Sequence, residues 1–372
     1  MKIAELVNFA VKQNASDLHL TPEQAPVLRI HGRLTPIRVS ALSANDISQI
    51  LNEIIPQEDL YSFKKHKSLN SSVSIENYRL RVNCFETIKG PSAVLRVMNN
   101  KLMSLEELGA PEAIKNLCHR QRGLILVAGP NNSGKTTTMA SMLELINHTM
   151  SKHIITIENP IEYMLKPSNS IINQYQLGFD ESSFKNAIDR SLKQDPDVIG
   201  IGNLTDPATI KSALVAAENG LLVFAAINSS SAAITIDRII DHFQGEEKTV
   251  IRNLLASNLE AIICQQLIIS TDYSSRVAAF EVLIANQVAK IMMRTGRTDQ
   301  LNSVMQVNRK SGMIQMKDSI SKLINDGVVD NSEAKQLLNR IALTEEVIYE
   351  KAATSTIAKK ENYGGGAAEN EF

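Results

Sequence analysis

The sequence predicts an α/β protein with two folded parts, and three observations indicate this. Apolar runs that read as strands alternate with helical stretches across residues 113–285, which is typical of a mainly parallel sheet covered on both faces. Residues 1–98 instead contain segments of alternating apolar and polar residues, which favour an antiparallel sheet. At about 150 residues per domain, a chain of 372 residues with 43% hydrophobic and 21% charged residues has room for two or three domains.

The N-terminal part is predicted to be a small mixed α/β domain over residues 1–98. Apolar residues at helical spacing predict a helix over 2–13, and the stretch 27–38 reads as two strands joined by a turn. Ser43 is a suitable N-cap for a second helix, because its side chain can accept a backbone hydrogen bond. Alternating apolar residues predict the remaining strands within 72–98.

The rest of the chain divides by composition. Residues 99–112 contain amides, glycine and proline and are predicted to be an interdomain linker. The α/β core follows over 113–285, and residues 286–345 read as a helical subdomain. The Gly-, Ala- and polar-rich residues 346–372 are predicted to be a disordered tail.

Four apolar runs are the predicted strands of the core: 124–127, 154–157, 198–201 and 221–227. A helix is predicted to begin after the third of these, because Asp206 is a good N-cap and Pro207 suits the first helical position. Gly220 is predicted to end the same helix.

Charge and cysteine content exclude several classes of protein. Lys and Arg number 39 and Asp and Glu 40, so no net field attracts nucleic acid or an anionic membrane. No apolar stretch approaches the ~20 residues of a membrane span, and the N-terminus is too polar for a signal peptide. We therefore expect a cytoplasmic protein that does not itself insert into a membrane. Cys84, Cys118 and Cys264 are far apart and are predicted to be reduced thiols, not metal ligands.

The strongest motif is the segment Gly129–Thr136, a complete match to GxxxxGK(S/T). It follows an apolar strand and opens a helix, so backbone N–H groups and the helix dipole would hold a phosphate there. We expect Lys135 to reach the β- and γ-phosphates of ATP and the Thr136 hydroxyl to ligate Mg²⁺. The predicted nucleotide-binding residues are Gly129, Pro130, Asn131, Asn132, Ser133, Gly134, Lys135, Thr136 and Thr137.

Nucleotide hydrolysis also requires acids at the carboxyl ends of neighbouring strands. Glu158 directly follows the strand 154–157 and is therefore a candidate for metal binding and catalysis; the alternative is a solvated loop acid. The strand 198–201 is instead followed by Asn203, an amide that can hydrogen-bond a metal-bound water but cannot accept a proton. Asp197 cannot replace it, because it lies at the other end of this strand. Asn228, after the strand 221–227, is equally suited to binding a phosphate and to capping a turn.

Residues 4–340 resemble the type IV pilus retraction (twitching motility) ATPases of the secretion ATPase superfamily. Besides the phosphate-binding motif, the resemblance is carried by Ala15–Leu20 (ASDLHL), Ile157–Glu162 (IENPIE), Asp195–Ile199 (DPDVI), Ala216–Gly220 (AAENG) and Thr235–Asp241 (TIDRIID). The similarity covers nearly the whole chain.

The resemblance implies a PAS-like N-terminal domain and a RecA-like P-loop domain with a helical C-terminal subdomain. It implies a hexameric ring, either of identical subunits or mixed with an active paralogue, that acts on the inner-membrane pilus platform protein. The chain would then be cytoplasmic and peripheral to the inner membrane through its partners. It also implies that Arg79, Arg81 and Arg96 sense a neighbouring subunit's nucleotide; the alternative is that they are ordinary exposed strand arginines.

Departures from the family pattern fall on the groups that handle the γ-phosphate and the attacking water. Asn159 and Asn203 stand where the family has an aspartate and the catalytic glutamate, and Asn228 where it has a histidine. The phosphate-binding motif itself is intact. The sequence therefore favours an ATP-binding subunit of a retraction-type motor with weak or absent hydrolysis. The alternative is an active retraction ATPase that uses another carboxylate, such as Glu158 or Glu162, so the sequence leaves enzymatic activity undecided.

Overall fold

A computed structural model describes residues 2–30, 33–76, 78–98, 102–178, 180–273, 275–339 and 341. The predicted disordered tail, residues 346–372, lies outside these residues, as do residues 99–101 of the predicted linker.

The described residues form two units. The first consists of Met1–Leu102 together with Glu158–Lys166 and Gln174–Glu181. The second consists of Met103–Ile157, Pro167–Asn173 and Ser182–Phe372. The two later segments join the first unit through long-range contacts, which no local sequence pattern signals.

The described residues of the first unit up to position 98 form three helices and six strands. They are α1 (Ile3–Lys12), β1 (Ala15–Leu20), β2 (Val27–Ile30), β3 (Arg33–Pro36), α2 (Ala44–Ile54), α3 (Gln57–His66), β4 (Ser68–Ile75), β5 (Tyr78–Thr87) and β6 (Gly90–Met98). The strands form one antiparallel sheet in the order β3-β2-β1-β6-β5-β4. The predicted antiparallel sheet is therefore present, with β4 beginning a few residues before the expected segment.

Alternation along the strands separates a core face of this sheet from a polar face. Leu18, Leu80 and Leu95 are fully buried on the core face and belong to the same apolar core as the buried side chains of α1, α2 and α3. Ser43 caps α2 as predicted: its hydroxyl accepts a hydrogen bond from the Asp46 N–H, and the Asp46 carboxylate accepts one from the Ser43 N–H.

The second unit begins with α4 (Glu112–Leu117) and builds a second sheet. Its further elements are β7 (Gly123–Ala128), α5 (Lys135–Thr149), β8 (His153–Glu158), β9 (Ile171–Gln176), α6 (Phe184–Ser191), β10 (Val198–Ile201), α7 (Pro207–Glu218), β11 (Leu222–Ile227), α8 (Ala232–Asp241), α9 (Gly245–Asn258), β12 (Leu259–Ile269), β13 (Arg276–Ile284), α10 (Gln287–Thr295), α11 (Leu301–Val307) and α12 (Met316–Asn325). The last residues of β8 and β9 are those assigned above to the first unit.

The seven-stranded sheet has the order β13-β12-β7-β11-β10-β8-β9. Strands β12, β7, β11, β10 and β8 are parallel, and β13 is antiparallel to β12. Every residue of β7, β10 and β11 is buried, as expected for strands covered on both faces. The carboxyl ends of the parallel strands therefore meet at one edge, where the predicted phosphate loop begins.

The described helices include none with the length and apolar character needed to cross a membrane. Cys84, Cys118 and Cys264 are buried and form no disulfide. Burial raises the pKa of Cys84 and of Cys118 to about 12, so these two thiols stay protonated and unreactive near neutral pH.

Candidate nucleotide-binding site

The phosphate loop connects β7 to α5, and backbone hydrogen bonds join its first residue to the end of β11. The Gly129 N–H donates to the Ile227 carbonyl oxygen at 3.3 Å, and the Gly129 carbonyl oxygen accepts from the Ser229 N–H at 3.3 Å. Asn228 lies between these two anchors and is half-buried. Its position beside the start of the loop follows from the parallel pairing of β7 with β11.

Both glycines of the loop occupy places where a side chain would not fit. A Cβ at Gly129 would lie 2.6 Å from the Gln265 carbonyl oxygen and would overlap Ser133 Oγ. Gly134 has a φ of +88° and caps α5, and a Cβ there would lie 2.8 Å from Gln265 Nε2. Asn132 has a φ of 63°, a left-handed conformation that asparagine adopts more readily than most residues.

Gln265 packs against both glycines, and the sequence did not predict this contact. Gln265 lies on β12 and is 1% exposed. Its Oε1 accepts a hydrogen bond of 2.6 Å from the hydroxyl of Thr138, which lies in the first turn of α5. The available signal was the pair Gln265 and Gln266 inside an otherwise apolar run, since buried amides require partners.

The loop presents polar groups suited to an anion. Lys135 Nζ donates to the carbonyl oxygens of Gly129 at 2.9 Å and of Pro130 at 2.7 Å. Because charge-assisted hydrogen bonds to phosphate are stronger than those to neutral carbonyls, a phosphate would compete well for this ammonium group. The hydroxyl of Ser133 is buried and has no hydrogen-bond partner within the described residues.

The residues present therefore fit a nucleotide phosphate. The first-turn N–H groups of α5 have no acceptor within their own helix and point towards the loop. Thr136 is half-buried in that turn, where its hydroxyl would hold Mg²⁺ bound to the phosphates. The metal would supply charge neutralisation, and Lys135 would hold the phosphate oxygens.

Backbone hydrogen bonds fix the chain just after β10. The Gly202 N–H donates to the Ile157 carbonyl oxygen at 2.8 Å, and the Leu204 N–H to that of Ala226 at 2.8 Å. Asn203 lies between these anchors and is half-buried. The amide is thus held at the carboxyl end of β10, as the sequence predicts, and it lies between the ends of β8 and β11.

The aspartate at the opposite end of β10 is engaged elsewhere. Asp197 accepts hydrogen bonds from the His153 N–H at 2.9 Å and from Lys152 Nζ at 3.0 Å, both at the amino end of β8. Asp197 therefore cannot serve the phosphate edge of the sheet.

Asp206 is the N-cap of α7, as predicted. Its carboxylate accepts from the Thr209 N–H at 2.9 Å and from the Thr209 hydroxyl at 2.6 Å. Burial opposes ionisation, but the hydrogen bonds from Thr209 outweigh it, and the pKa of Asp206 is lowered. A carboxylate held in this way is a poor acceptor of a further proton.

The acid that ends β8, Glu158, belongs to the first unit and is buried, so it is not a solvated loop acid. Gln174 Nε2 donates to Glu158 Oε1 at 3.2 Å and also to the Tyr163 carbonyl oxygen at 3.0 Å. Glu162 lies in the sequence between Glu158 and Gln174 and is half-buried.

The three candidate arginines have different surroundings. Arg79 donates to Gln176 Oε1 at 3.1 Å and to the Ser74 hydroxyl at 3.2 Å. Burial lowers the pKa of Arg79, and the charge of nearby Glu158 opposes this, so the guanidinium stays protonated at neutral pH.

Arg96 and Arg81 lie opposite each other in neighbouring strands on the polar face of the first sheet. Both side chains are exposed, and Arg96 Nε donates to Asp17 Oδ1 at 2.8 Å. The structure thus brings Arg79 together with Glu158 in the first unit, and the phosphate loop together with Asn228 in the second.

The sequence matches the Type II/IV secretion system protein family over residues 1–366. The chain belongs to this family. Within it, the chain is 38% identical over 312 residues to a twitching motility protein of Neisseria gonorrhoeae, which covers 84% of this chain and 83% of that protein. It is 35% identical over 337 residues to the type IV pilus retraction ATPase PilT of Pseudomonas aeruginosa, which covers 90% of this chain and 98% of PilT.

The fold of this secretion family member is also that of a solved relative. The crystal structure of the pilus retraction motor PilT with bound ADP superposes with a TM-score of 0.84 at 35% identity, covering 90% of this chain and 96% of that one. The resemblance to pilus retraction ATPases and the predicted fold class are both confirmed.

Proposed function

We propose that this chain is an ATP-binding subunit of a type IV pilus retraction-type motor in which ATP hydrolysis is weak or absent. The observation that carries the proposal is a contrast at one edge of the second sheet. The phosphate loop is complete and keeps Lys135, while β10 is followed by Asn203 in place of an acid. The related PilT structure contains bound ADP, which supports the nucleotide assignment.

Asn203 bears on hydrolysis because an amide cannot take the proton of an attacking water. Loss of a positioned general base costs about 10²–10⁴ in rate. Neither neighbouring aspartate offers a replacement, since Asp206 caps α7 and Asp197 lies at the other end of β10. The site would then bind ATP with Mg²⁺ and turn it over slowly.

The remaining assignments follow from the family. The nucleotide would be bound by Gly129 to Thr137 together with Asn228. The Mg²⁺ ion bound to that nucleotide would be held by Thr136 and Glu158. The sensors of a nucleotide would be Arg79, Arg81 and Arg96. The chain would act in a hexameric ring, alone or with an active paralogue, against an inner-membrane platform protein. It would then lie in the cytoplasm at that membrane.

An active motor is the alternative, and one observation favours it. Glu158 keeps a buried carboxylate at the carboxyl end of β8, held by Gln174. A buried, oriented carboxylate is a suitable general base, so Glu158, or Glu162 after it, would take the place of the missing acid.

Nucleotide binding and phosphate release together separate the two functions. We expect the purified protein to bind ATP in calorimetry, Lys135→Ala to abolish this binding, and phosphate release to stay near background. Asn203→Glu should raise phosphate release at least tenfold, while Asn203→Gln, of matched length but uncharged, should not.

Rapid phosphate release by the wild type that Lys135→Ala abolishes would instead establish the active motor. Glu158→Gln would then show whether Glu158 is its base. Absence of ATP binding by the wild type would refute both functions.

A further inference from the structure

Gln265, on the neighbouring strand β12, packs against the phosphate loop. β12 runs parallel to β7 with Cys264 paired to Ala128, so the next residue of β12 lies alongside Gly129. Gln265 is 1% exposed and is therefore part of the interior. Its polar atoms need partners there, because an unpaired buried amide is costly.

Two atoms of Gln265 contact the loop, one at each end, and a third contacts the helix α5 that follows it. The main-chain oxygen fills the space next to Gly129, 2.6 Å from where a Cβ would lie. The side-chain Nε2 fills the space next to Gly134, 2.8 Å from where a Cβ would lie. The side-chain Oε1 accepts the Thr138 hydroxyl at 2.6 Å.

The contact with Thr138 extends this support into the helix that follows. The Thr138 N–H donates to the Gly134 carbonyl oxygen at 3.0 Å, so Thr138 closes the first turn of α5. Gln265 therefore fixes the residue that closes this turn and lies against the glycine that opens it. The first-turn N–H groups that face a phosphate lie between these two points.

We propose that Gln265 is a positioning residue of the nucleotide site, which holds the phosphate loop in its binding shape through Thr138 and through contact with the two loop glycines. This inference rests on the proposed nucleotide-binding function. An apolar side chain of similar size would fill the same space but would not fix the Thr138 hydroxyl. The loop would then sample other conformations, and phosphate binding would have to restore the productive one.

Gln266→Met is a matched control for Gln265→Met. Gln266 is the next residue of β12 and is 8% exposed, and successive side chains of a strand point to opposite faces. Both substitutions remove a buried amide from the same strand, but only Gln265→Met removes an amide that contacts the phosphate loop.

The test measures ADP affinity by calorimetry and amide hydrogen exchange of residues 129–138 in the nucleotide-free protein. For Gln265→Met we expect ADP binding about five- to tenfold weaker, as for loss of one buried hydrogen bond, and faster exchange in the loop. Gln266→Met should lower the thermal midpoint comparably while changing ADP affinity less than about twofold. Combining Gln265→Met with Thr138→Val should weaken binding no further than the more affected single variant.

Four results would overturn the inference. They are unchanged exchange in the loop of Gln265→Met, unchanged ADP affinity of Gln265→Met in a protein that binds ADP, additive losses of ADP affinity in the double variant, or a loss of ADP affinity in Gln266→Met equal to that in Gln265→Met. If the wild type does not bind ADP, the proposed function fails. The exchange measurement alone then decides whether Gln265 shapes the loop.

Discussion

The hydrogen bond between Thr138 and Gln265 gives a sharp prediction for stability. Thr138→Val replaces a hydroxyl with a methyl group of nearly the same shape, so no cavity forms. It leaves Gln265 Oε1 without its 2.6 Å donor at a position that is 1% exposed. The loss is therefore the cost of an unsatisfied buried acceptor and not one of packing.

The size of the effect follows from that burial. An unpaired buried acceptor costs about 1–3 kcal/mol, and Thr138 itself is fully buried. We expect a loss of about 2 kcal/mol in the free energy of unfolding of the second unit, which corresponds to a fall of about 4–8 °C in its thermal midpoint. Urea and thermal unfolding followed by far-UV circular dichroism would measure both quantities.

Thr149→Val is the control on the same helix. The Thr149 hydroxyl donates to the backbone oxygen of Leu145, also at 2.6 Å, but this side chain is exposed. Water can replace the lost group there, and the change should stay within about 0.5 kcal/mol. The same substitution on one helix thus separates burial from intrinsic helix propensity.

The double variant tests the reasoning most directly. When both partners of a buried hydrogen bond become apolar, the penalty for an unsatisfied group disappears. Thr138→Val with Gln265→Met should therefore be more stable than the sum of the two single losses predicts, by about 1 kcal/mol or more. Strictly additive losses, or a Thr138→Val effect no larger than that of Thr149→Val, would refute this account.

Two further predictions concern aspartates. Burial opposes ionisation of Asp17, but hydrogen bonds from Ser16 and Arg96 lower its pKa. Its ionised form therefore stabilises the first unit above the ordinary aspartate pKa of about 4, and this contribution is lost as pH falls through the lowered value. Urea unfolding should show Asp17→Asn less stable than the wild type at pH 7, with a difference that shrinks as the pH falls below about 4; a difference that does not change with pH would contradict this. Asp206→Ala should cost about 1 kcal/mol through loss of the α7 cap while ADP affinity in calorimetry stays unchanged; weaker ADP binding would place Asp206 in the nucleotide site.

Local signals explain which elements the sequence predicted well. β10 runs over Val198–Ile201 as expected, because a short apolar run is bounded by an aspartate and a glycine. The helices that begin after Ser43 and Asp206 were found because their caps are local hydrogen bonds. β12 and β13 were not assigned as strands, since a short continuous apolar run does not distinguish a buried strand from a buried helix.

In the candidate site, too, features that are local in sequence were predictable and long-range contacts were not. The phosphate loop was predictable because its binding groups are consecutive in sequence. Gln265 was not, because its contact joins positions 127 residues apart. The hydrogen bond that Glu158 accepts was also not predictable, since its donor Gln174 lies 16 residues further along the chain, in a separate segment of the first unit.

The roles of the aspartates around β10 explain why the amide at Asn203 matters. A replacement base would need a carboxylate at the carboxyl end of the strand with a pKa close to the working pH. Asp206, three residues after Asn203, is held by Thr209, and its pKa is lowered, so it accepts protons less readily than a free carboxylate. Asp197 is fixed at the opposite end by Lys152. Asp206 and Asp197 thus each stabilise the fold through these hydrogen bonds, and the lowered pKa of both makes them poor proton acceptors.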